Sequence, residues 1–311
     1  KTTDLLYSVA VPATSGYQTM LKNIGSIENQ GYELSIESDN LTGAFSWTTA
    51  FNIAFNRNKV LELGGEEYKE MAEGDGHLKT GSVRRLIVGE PIGVFYGYRF
   101  DGIFQNEEEC KQQTSSASPI GVGLRRYKDL NGDGKVDAAN DREILGDANP
   151  KFFGGLTNTF AYKGFELNVF LQYSYGNKIL NYNAMELENP TGGQNAYADM
   201  VNRWTPENPS NIYPKATTNR ALLVSDRFIE DGSYLKLKTL SLSYSFPKIN
   251  LKHIQGLRLY VTGQNLLTWT KYRGYDPEVS YRGASTLEAG EDFGGYPQSR
   301  TFMFGIKLDI K

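Results

Sequence analysis

The sequence predicts an all-β protein, an antiparallel transmembrane β-barrel, and three observations support this fold class. Several segments alternate apolar and polar residues with a period of two, and the links between them alternate between short and long. Aromatic residues are also abundant, with 20 Tyr and 16 Phe among 311 residues. A membrane-embedded barrel wall needs one lipid-facing apolar face, and aromatic rings concentrate at its two interfaces.

The alternation is clearest in residues 299–311, where five apolar side chains from Phe302 to Ile310 share one phase. Residues 44–56, 165–175 and 257–264 repeat the pattern. We expect one phase to face lipid, with members Phe45, Trp47, Phe51, Ile53, Phe55, Leu167, Val169, Leu171, Phe304 and Ile306. The opposite phase would line a wet interior, with members Asn52, Asn56, Asn168, Gln172 and Arg258.

Ten strands of roughly membrane-crossing length follow from this pattern. We expect them near residues 4–9, 26–38, 44–56, 81–88, 94–104, 152–162, 165–175, 233–246, 257–267 and 299–310. The links between these strands alternate between short and long, as in bacterial outer-membrane barrels, whose short turns are periplasmic. The short links are residues 39–43, 89–93, 163–164 and 247–255, and the long ones are residues 57–80, 101–151, 176–231 and 269–298. In residues 233–246 the apolar phase shifts, so either a bulge lies near Thr239 or the upper part projects beyond the bilayer.

Composition excludes several classes of protein. No run of 18 apolar residues is present, which excludes a transmembrane helix, and a net charge of −3 offers no basic footprint for nucleic acid. Cys110 is the only cysteine, so neither a disulfide framework nor a cysteine-based metal cluster is expected. The chain begins at Lys1 without a start Met or a signal peptide, which suggests a processed or truncated product.

One segment, residues 129–141, has the ligand spacing of an EF-hand-type calcium loop. Oxygen-bearing side chains alternate ahead of Gly134, and the backbone carbonyl of Lys135 would complete the alternation. Position 12 is Asn140 instead of an acid, and Asp141 follows one residue later. The predicted calcium ligands are Asp129, Asn131, Asp133, Lys135, Asp137 and Asp141. The alternative is an Asx-rich turn that holds no ion.

Other candidate site residues carry less information. His77 and His253 are the only histidines and both are expected to be solvated, so no histidine-based catalytic centre is predicted. The acidic run of residues 107–109 is expected to be a hydrated loop face. Aromatic residues in or beside long loops could stack on a sugar, although loop packing or an interfacial role is the favoured interpretation for Trp204, Trp269 and Tyr272.

A series of local motifs, in order along the chain, resembles the C-terminal barrel portion of SusC-like TonB-dependent transporters of the Bacteroidetes outer membrane. The matching stretches are residues 23–34, 93–98, 101–104, 129–134, 149–151, 162–165, 227–235, 263–266 and 275–278. The resemblance implies that residues 1–311 supply about ten C-terminal strands of a 22-stranded barrel, whose plug domain is absent here.

The resemblance also implies partners and a function. A SusD-like surface lipoprotein would act as a lid, and the TonB complex would act through the absent N-terminal portion. The remaining barrel strands, the plug and outer-membrane lipid complete the expected surroundings. The cargo would be oligosaccharides (glycans), or peptides in some members, with no enzymatic activity. The terminal strand would act as the insertion signal, here ending in Ile310 and Lys311 instead of Phe.

Two other classes of protein stay open at this point. An outer-membrane adhesin or enzyme would act through the long loops, although no catalytic cluster is visible in the sequence. A soluble β-sandwich with a dockerin-like calcium loop is the other class. The aromatic apolar faces and the alternating link lengths count against it.

Overall fold

Eight antiparallel strands form one large sheet in the computed structural model, which describes residues 1–10, 19–71, 77–78, 80–189, 195–218, 222–247, 254–278, 280–281, 283 and 287–310. The strands are β1 (Thr2–Ala10), β2 (Thr19–Leu41), β3 (Phe45–Leu63), β4 (Phe152–Tyr162), β5 (Phe165–Tyr175), β6 (Tyr234–Ser245), β7 (Ile254–Thr270) and β8 (Thr301–Ile310). Each strand pairs with its neighbours in chain order, so the sheet is an up-and-down wall with β1 and β8 at its edges.

The links alternate between short turns and long loops as predicted, except that the predicted short link at 89–93 lies within one long link, residues 64–151. Residues 42–44 join β2 to β3, and Lys163 and Gly164 join β4 to β5 with φ angles of 46° and 89°. A two-residue turn with both φ values positive matches the right-handed twist of paired strands. At the other end, residues 64–151, 176–233 and 271–300 form long links. The β1–β2 link and most of the β6–β7 link, including His253, lie outside the described residues.

The register brings the apolar phases of the strands together on one face. One unbroken row crosses six strands through Ile36, Phe51, Leu156, Leu171, Leu237 and Leu267. A second row runs through Trp47, Phe160, Leu167, Leu242, Val261 and Phe304. All ten side chains that we expected to face lipid lie on this surface, which we call the apolar face. Asn52, Asn168, Gln172 and Arg258 lie on the opposite, polar face.

The predicted irregularity near Thr239 is a bulge. On the β5 side, Leu171 pairs with Leu237 and Phe170 pairs with Thr239, so Lys238 is an extra residue in β6. On the β7 side, Leu237 pairs with Leu267 and Thr239 pairs with Gln264. Asn265 has φ of 52°, a left-handed conformation that Asn tolerates better than most residues. Because of the bulge, Leu237 before it and Leu240 after it both lie on the apolar face. This explains why the apolar pattern of residues 233–246 shifts by one position in the sequence.

The long links fold together into a compact layer at one end of the sheet, which we call the cap. Its short strands are Tyr68–Glu70, Arg84–Ile87, Val94–Tyr98, Phe100–Ile103, Thr114–Ser115, Arg125–Tyr127, Lys135–Val136, Arg142–Gly146, Lys178–Asn181, Ile229–Asp231 and Glu291–Asp292. The helices are α1 (Glu107–Lys111), α2 (Tyr182–Leu187) and two 3₁₀ turns, Ala198–Asn202 and Asp226–Phe228. In the described part of the chain, no helix has the length and apolarity needed to cross a membrane.

The prediction of membrane strands at 81–88 and 94–104 is wrong. Arg84–Ile87 and Val94–Tyr98 belong to a four-stranded cap sheet, and Phe100–Ile103 pairs with Arg125–Tyr127. Successive residues Val94 and Phe95 are both buried, at 1% and 0% exposure, so the segment packs on both faces. A run buried on both faces contains enough apolar residues to resemble a half-exposed strand.

The main hydrophobic core lies in the cap, not on the sheet. All three long links contribute to it or pack against it, and its buried members include Phe95, Leu180, Tyr182 and Phe228. Phe293 packs against this cluster from the third link. Burial of this apolar surface is the main force that holds the links together. The cap therefore orders a set of loops that would otherwise be long and exposed.

Candidate functional site

Lys236 is the centre of an ionic cluster where the polar face of the sheet meets the cap. It lies on β6 between Leu235 and Leu237, and its side chain is 2% exposed on the polar face. Its Nζ donates to Asp276 Oδ1 at 2.6 Å and to Glu278 Oε2. Both carboxylates belong to the link between β7 and β8. One buried ammonium therefore ties this link down against the sheet.

Several further contacts hold Glu278 in place. Gln172 Nε2 and the Tyr234 hydroxyl donate to its Oε1 at 3.0 and 3.1 Å, and Lys238 Nζ donates to Oε2 at 3.1 Å. Burial by itself would raise the pKa of the Glu278 carboxyl, but the hydrogen bonds and charges of Lys236 and Lys238 lower it overall. The group is thus held in its charged form.

A second ionic network joins the three long links within the cap. Glu188, 1% exposed, accepts from Arg227 at 2.6 Å and from Arg273 at 2.8 Å, while its backbone carbonyl accepts from Arg125. These residues belong to all three links. A buried carboxylate needs such partners, because an unpaired charge in the interior is costly.

A buried pair outside this network joins the first and third links. Arg84 Nε donates to Glu291 Oε1 at 2.9 Å, and both side chains are 2% exposed. The other guanidinium nitrogens of Arg84 donate to the carbonyls of Gly93 and Ala289. The rigid fork of Arg thereby connects two links through three acceptors.

The predicted calcium loop is ordered by its own hydrogen bonds. Asp129 accepts from Gly132 N and Gly134 N, each at 2.7 Å. Asp141, the proposed substitute for the missing acid at position 12, is 0% exposed and accepts from Leu130 N and Asp137 N, each at 2.7 Å. These contacts account for the turn without an ion.

The remaining predicted ligands also have partners inside the loop. Asn131 Nδ2 donates to Asp133 Oδ2 at 3.0 Å, and Lys135 Nζ lies 3.0 Å from Asp137 Oδ2. The hydrogen bond from Lys135, with those from backbone amides, lowers the pKa of Asp137. Across the described residues, no three His, Cys, Asp or Glu side chains group as a metal centre would. The EF-hand-like character of the loop and its occupancy by calcium both stay predictions.

The aromatic candidates separate into packed and exposed residues. Trp204 is 9% exposed and its Nε1 donates to Gln105 at 3.0 Å. Tyr272 is 5% exposed, and burial together with its hydrogen bond to Asp292 raises its pKa. Trp269 is 51% exposed at the cap end of the apolar face, where it pairs with Leu235. Loop packing and an interfacial position, the favoured interpretations, fit these three residues.

The other minor candidates lie in the cap. His77 lies 3.4 Å from Glu186 and its side chain is 51% exposed. In the acidic run, Glu107 and Glu108 are exposed on α1. Glu109 accepts a hydrogen bond from the backbone amide of Gln105 and forms an ion pair with Arg126.

Sequence reasoning missed the ionic residues that organise the cap. Lys236 was hidden in an apolar strand, although a lysine at a polar-phase position between two leucines was a usable signal. Asp276 and Glu278 were noticed only as part of a family motif. Arg227 was likewise noticed only within a family motif. Glu188 and Arg273 gave no signal, because their pairing joins two different links at positions 85 apart in sequence.

Curated proteins similar to this chain are TonB-dependent receptors. TonB-dependent receptor P3 of Formosa agariphila is 40% identical over 315 residues, which is 99% of this chain and 31% of that receptor. TonB-dependent receptor SusC of Bacteroides thetaiotaomicron is 29% identical over 324 residues, 100% of this chain and 29% of that receptor. The chain thus spans about a third of these relatives. No protein-family model matches it.

Solved structures support the same relationship. The RagAB peptide transporter matches with a TM-score of 0.76 and 25% identity, covering 98% of this chain and 32% of the transporter chain. The RagAB peptide importer in its open-open state matches in fold with a TM-score of 0.77 at 24% identity, covering 98% and 31%. These relatives are named as receptors and transporters, not as enzymes. By sequence and by fold, the chain therefore corresponds to about a third of a SusC-like TonB-dependent receptor.

Proposed function

We propose that this chain is the cap-bearing barrel wall of a TonB-dependent outer-membrane importer of oligosaccharides. The observation that carries the proposal is the register of eight strands, which separates a continuous apolar face from a polar one. A wall of this kind places its apolar face against lipid and its polar face toward the lumen. The cap then lies on the extracellular side, because short turns are periplasmic in such barrels.

The remaining parts of the importer follow from the same proposal. The other strands and the plug close the barrel, since open sheet edges are not tolerated in hydrocarbon. A SusD-like lipoprotein covers the cap, and the TonB complex supplies the driving force. Relatives named SusC and RagAB support this assembly.

Two exposed tyrosines support a cargo with ring-shaped apolar faces. Tyr275 and Tyr296 are 79% and 93% exposed, although their segment is anchored through Asp276 and Glu278. Gln298 N lies 3.4 Å from Asp276 Oδ2, so both tyrosines lie near the same part of the polar face. A sugar offers a C–H face for stacking and hydroxyls for neighbouring polar groups such as Gln298 and Lys238.

Calorimetry of the complete receptor with a panel of oligosaccharides tests this proposal. The double variant Tyr275→Ala/Tyr296→Ala should lose affinity by roughly tenfold, because each stacked ring contributes about 0.5–1.5 kcal/mol. The matched control Val201→Ala/Ile212→Ala removes two exposed cap side chains and should bind like the wild type. Failure of every oligosaccharide to bind the folded receptor would refute a glycan cargo.

Peptide import is the second candidate. The observation that favours it is the fold shared with RagAB, a protein described as a peptide transporter. The same calorimetry with a mixture of short peptides separates the two cargo classes. Binding of peptides alone, with loss in the tyrosine double variant, would assign the polar face to peptide cargo.

We also propose one structural calcium ion at residues 129–141. Asp129, Asn131, Asp133, Asp137, Asp141 and the carbonyl of Lys135 would hold it. Calcium would replace the Lys135 ammonium as the counter-charge of Asp137. In a calcium titration, Asp133→Ala should lose binding while the control Glu108→Ala keeps it. No heat of binding up to millimolar calcium would reduce the motif to a turn.

A further inference from the structure

A cleft opens on the sheet where β3 leaves β4. Pairing between these strands ends at Ala54 and Phe153, while β3 continues beside β2 as far as Leu63. The gap holds a cleft of about 410 Å³, whose walls come from β2, β3 and residues 147–151. Asn58 closes its upper side by accepting from Ile92 N at 2.6 Å. The cleft is therefore built from several elements of this chain.

An aromatic row marks the level of the sheet just below the cleft. Tyr32 pairs with Phe55, and the Phe55 ring lies 5.8 Å from the Phe152 ring. Phe152 in turn stacks on Tyr175 at 5.0 Å. All four belong to the apolar face at its cap end. Aromatic rings in membrane proteins concentrate at the head-group level, so this row indicates the boundary of the hydrocarbon.

Basic residues follow the aromatic row on the same face. Arg57 lies two positions beyond Phe55, which is about 7 Å farther along the strand, and pairs with Gln30. Lys59 is two positions farther still and pairs with Glu28. All four side chains line the cleft. The cleft therefore lies at the level where lipid phosphates are found.

The charge balance of the cleft is positive. Arg57, Lys59 and Lys151 line it and are exposed, and none of them forms an ion pair within the part of the chain that the structure describes. The acidic lining groups are Glu28 and Asp147. Asp147 already accepts from the backbone and side-chain amides of Asn149, at 2.9 and 2.7 Å. Three cations thus face two carboxylates, and one of these carboxylates already accepts two hydrogen bonds.

We propose that this cleft binds the phosphate of an anionic lipid head group in the outer leaflet. Cations held at the head-group level attract anionic lipids, and Arg and Lys are the usual phosphate ligands. A lipid fits better than a free anion because the aromatic row lies next to the cleft on the same face of β2 and β3, where acyl chains would pack. This inference rests on the membrane orientation in the proposed function.

Native mass spectrometry of the complete receptor in detergent tests the inference. The probes are monophosphoryl lipid A and its dephosphorylated counterpart, which differ only in the phosphate. The variant Arg57→Gln/Lys59→Gln/Lys151→Gln should retain the phosphorylated lipid about 100-fold less than the wild type. The control Lys111→Gln/Lys128→Gln/Lys271→Gln removes three exposed cap charges and should retain it fully.

Three outcomes would overturn the inference. These are equal retention of the two lipids, equal loss in both triple variants, and displacement of the lipid by millimolar inorganic phosphate, which would indicate a soluble anion. Insertion into lipid vesicles is measured in parallel by protease protection. A receptor that inserts but shows no phosphate preference refutes this inference alone, whereas one that never inserts refutes the proposed function.

Discussion

Replacing Lys236 with Met should release the link between β7 and β8 from the polar face. Met keeps most of the aliphatic stem, so the main loss is the ammonium that pairs with Asp276 and Glu278. Removing one member of a buried ion pair costs about 3–5 kcal/mol, because the partner is left uncompensated. Glu278 keeps Lys238 and two neutral donors here, so we expect about 2–3 kcal/mol.

Hydrogen exchange of the complete receptor measures this effect at two reporter amides. Glu278 N and Gln298 N both hydrogen-bond to Asp276, at 2.9 and 3.4 Å. Lys236 holds Asp276 in place from the sheet, so loss of this ion pair should loosen both hydrogen bonds and speed exchange at the two amides. A loss of 2–3 kcal/mol corresponds to exchange about 30- to 140-fold faster.

Two further variants distinguish an ionic role from simple packing. Lys238→Met removes one ion pair with Glu278 and one hydrogen bond to Gln298 from a lysine that is 24% exposed, and a partly exposed pair of this kind is worth about 0–1 kcal/mol. Adding Asp276→Asn and Glu278→Gln to Lys236→Met removes the stranded charges and should restore most of the protection. Unchanged exchange in Lys236→Met, or an equal effect of Lys238→Met, would refute the reasoning.

Three other predictions follow from the same structure. Phe51→Arg on the apolar face should cost about 2–4 kcal/mol in vesicle unfolding experiments, and Ala50→Arg on the polar face should cost much less; equal costs would mean that the faces are assigned wrongly. Burial raises the pKa of Glu278, but pairing with Lys236 and Lys238 outweighs it and leaves the pKa below its ordinary 4.5. The contribution of this carboxylate to stability is therefore complete above pH 4.5 and is lost as the pH falls through the lower folded-state pKa. The protection factor of the Glu278 amide, which corrects for the slower intrinsic exchange in acid, should fall as the pH is lowered, and a constant protection factor would contradict this. Deletion of residues 301–311 exposes the edge of β7 along ten pairings and should abolish outer-membrane insertion, measured by fractionation; normal insertion would remove the terminal strand from that role.

The faces of the sheet could be predicted from the sequence because the strand period is two. The alternation around Phe51 and Leu171 specifies which side chains share a surface, whatever strand comes to lie beside them. The order of the strands also followed, since short turns such as Lys163 and Gly164 force neighbours in sequence to pair. A continuous apolar face then required only a register that pairs the apolar residues of each strand with those of its neighbours.

The cap could not be predicted in the same way. Segments 81–88 and 94–104 resembled membrane strands because apolar content and length are similar in a lipid-facing strand and in one buried on both faces. Whether Phe95 meets lipid or the cap core depends on residues more than 80 positions away, such as Leu180.

The sequence by itself determined the all-β class, the two faces and the position of most strands, because each depends on local spacing. Only the tertiary structure decided that three long links form one cap and that Lys236 meets Asp276 and Glu278. It also decided where the basic cleft at Arg57 opens. These features depend on which distant residues share the same space. Ionic and apolar contacts between links follow no regular spacing along the chain. The sequence therefore shows which residues are present but not which of them pair.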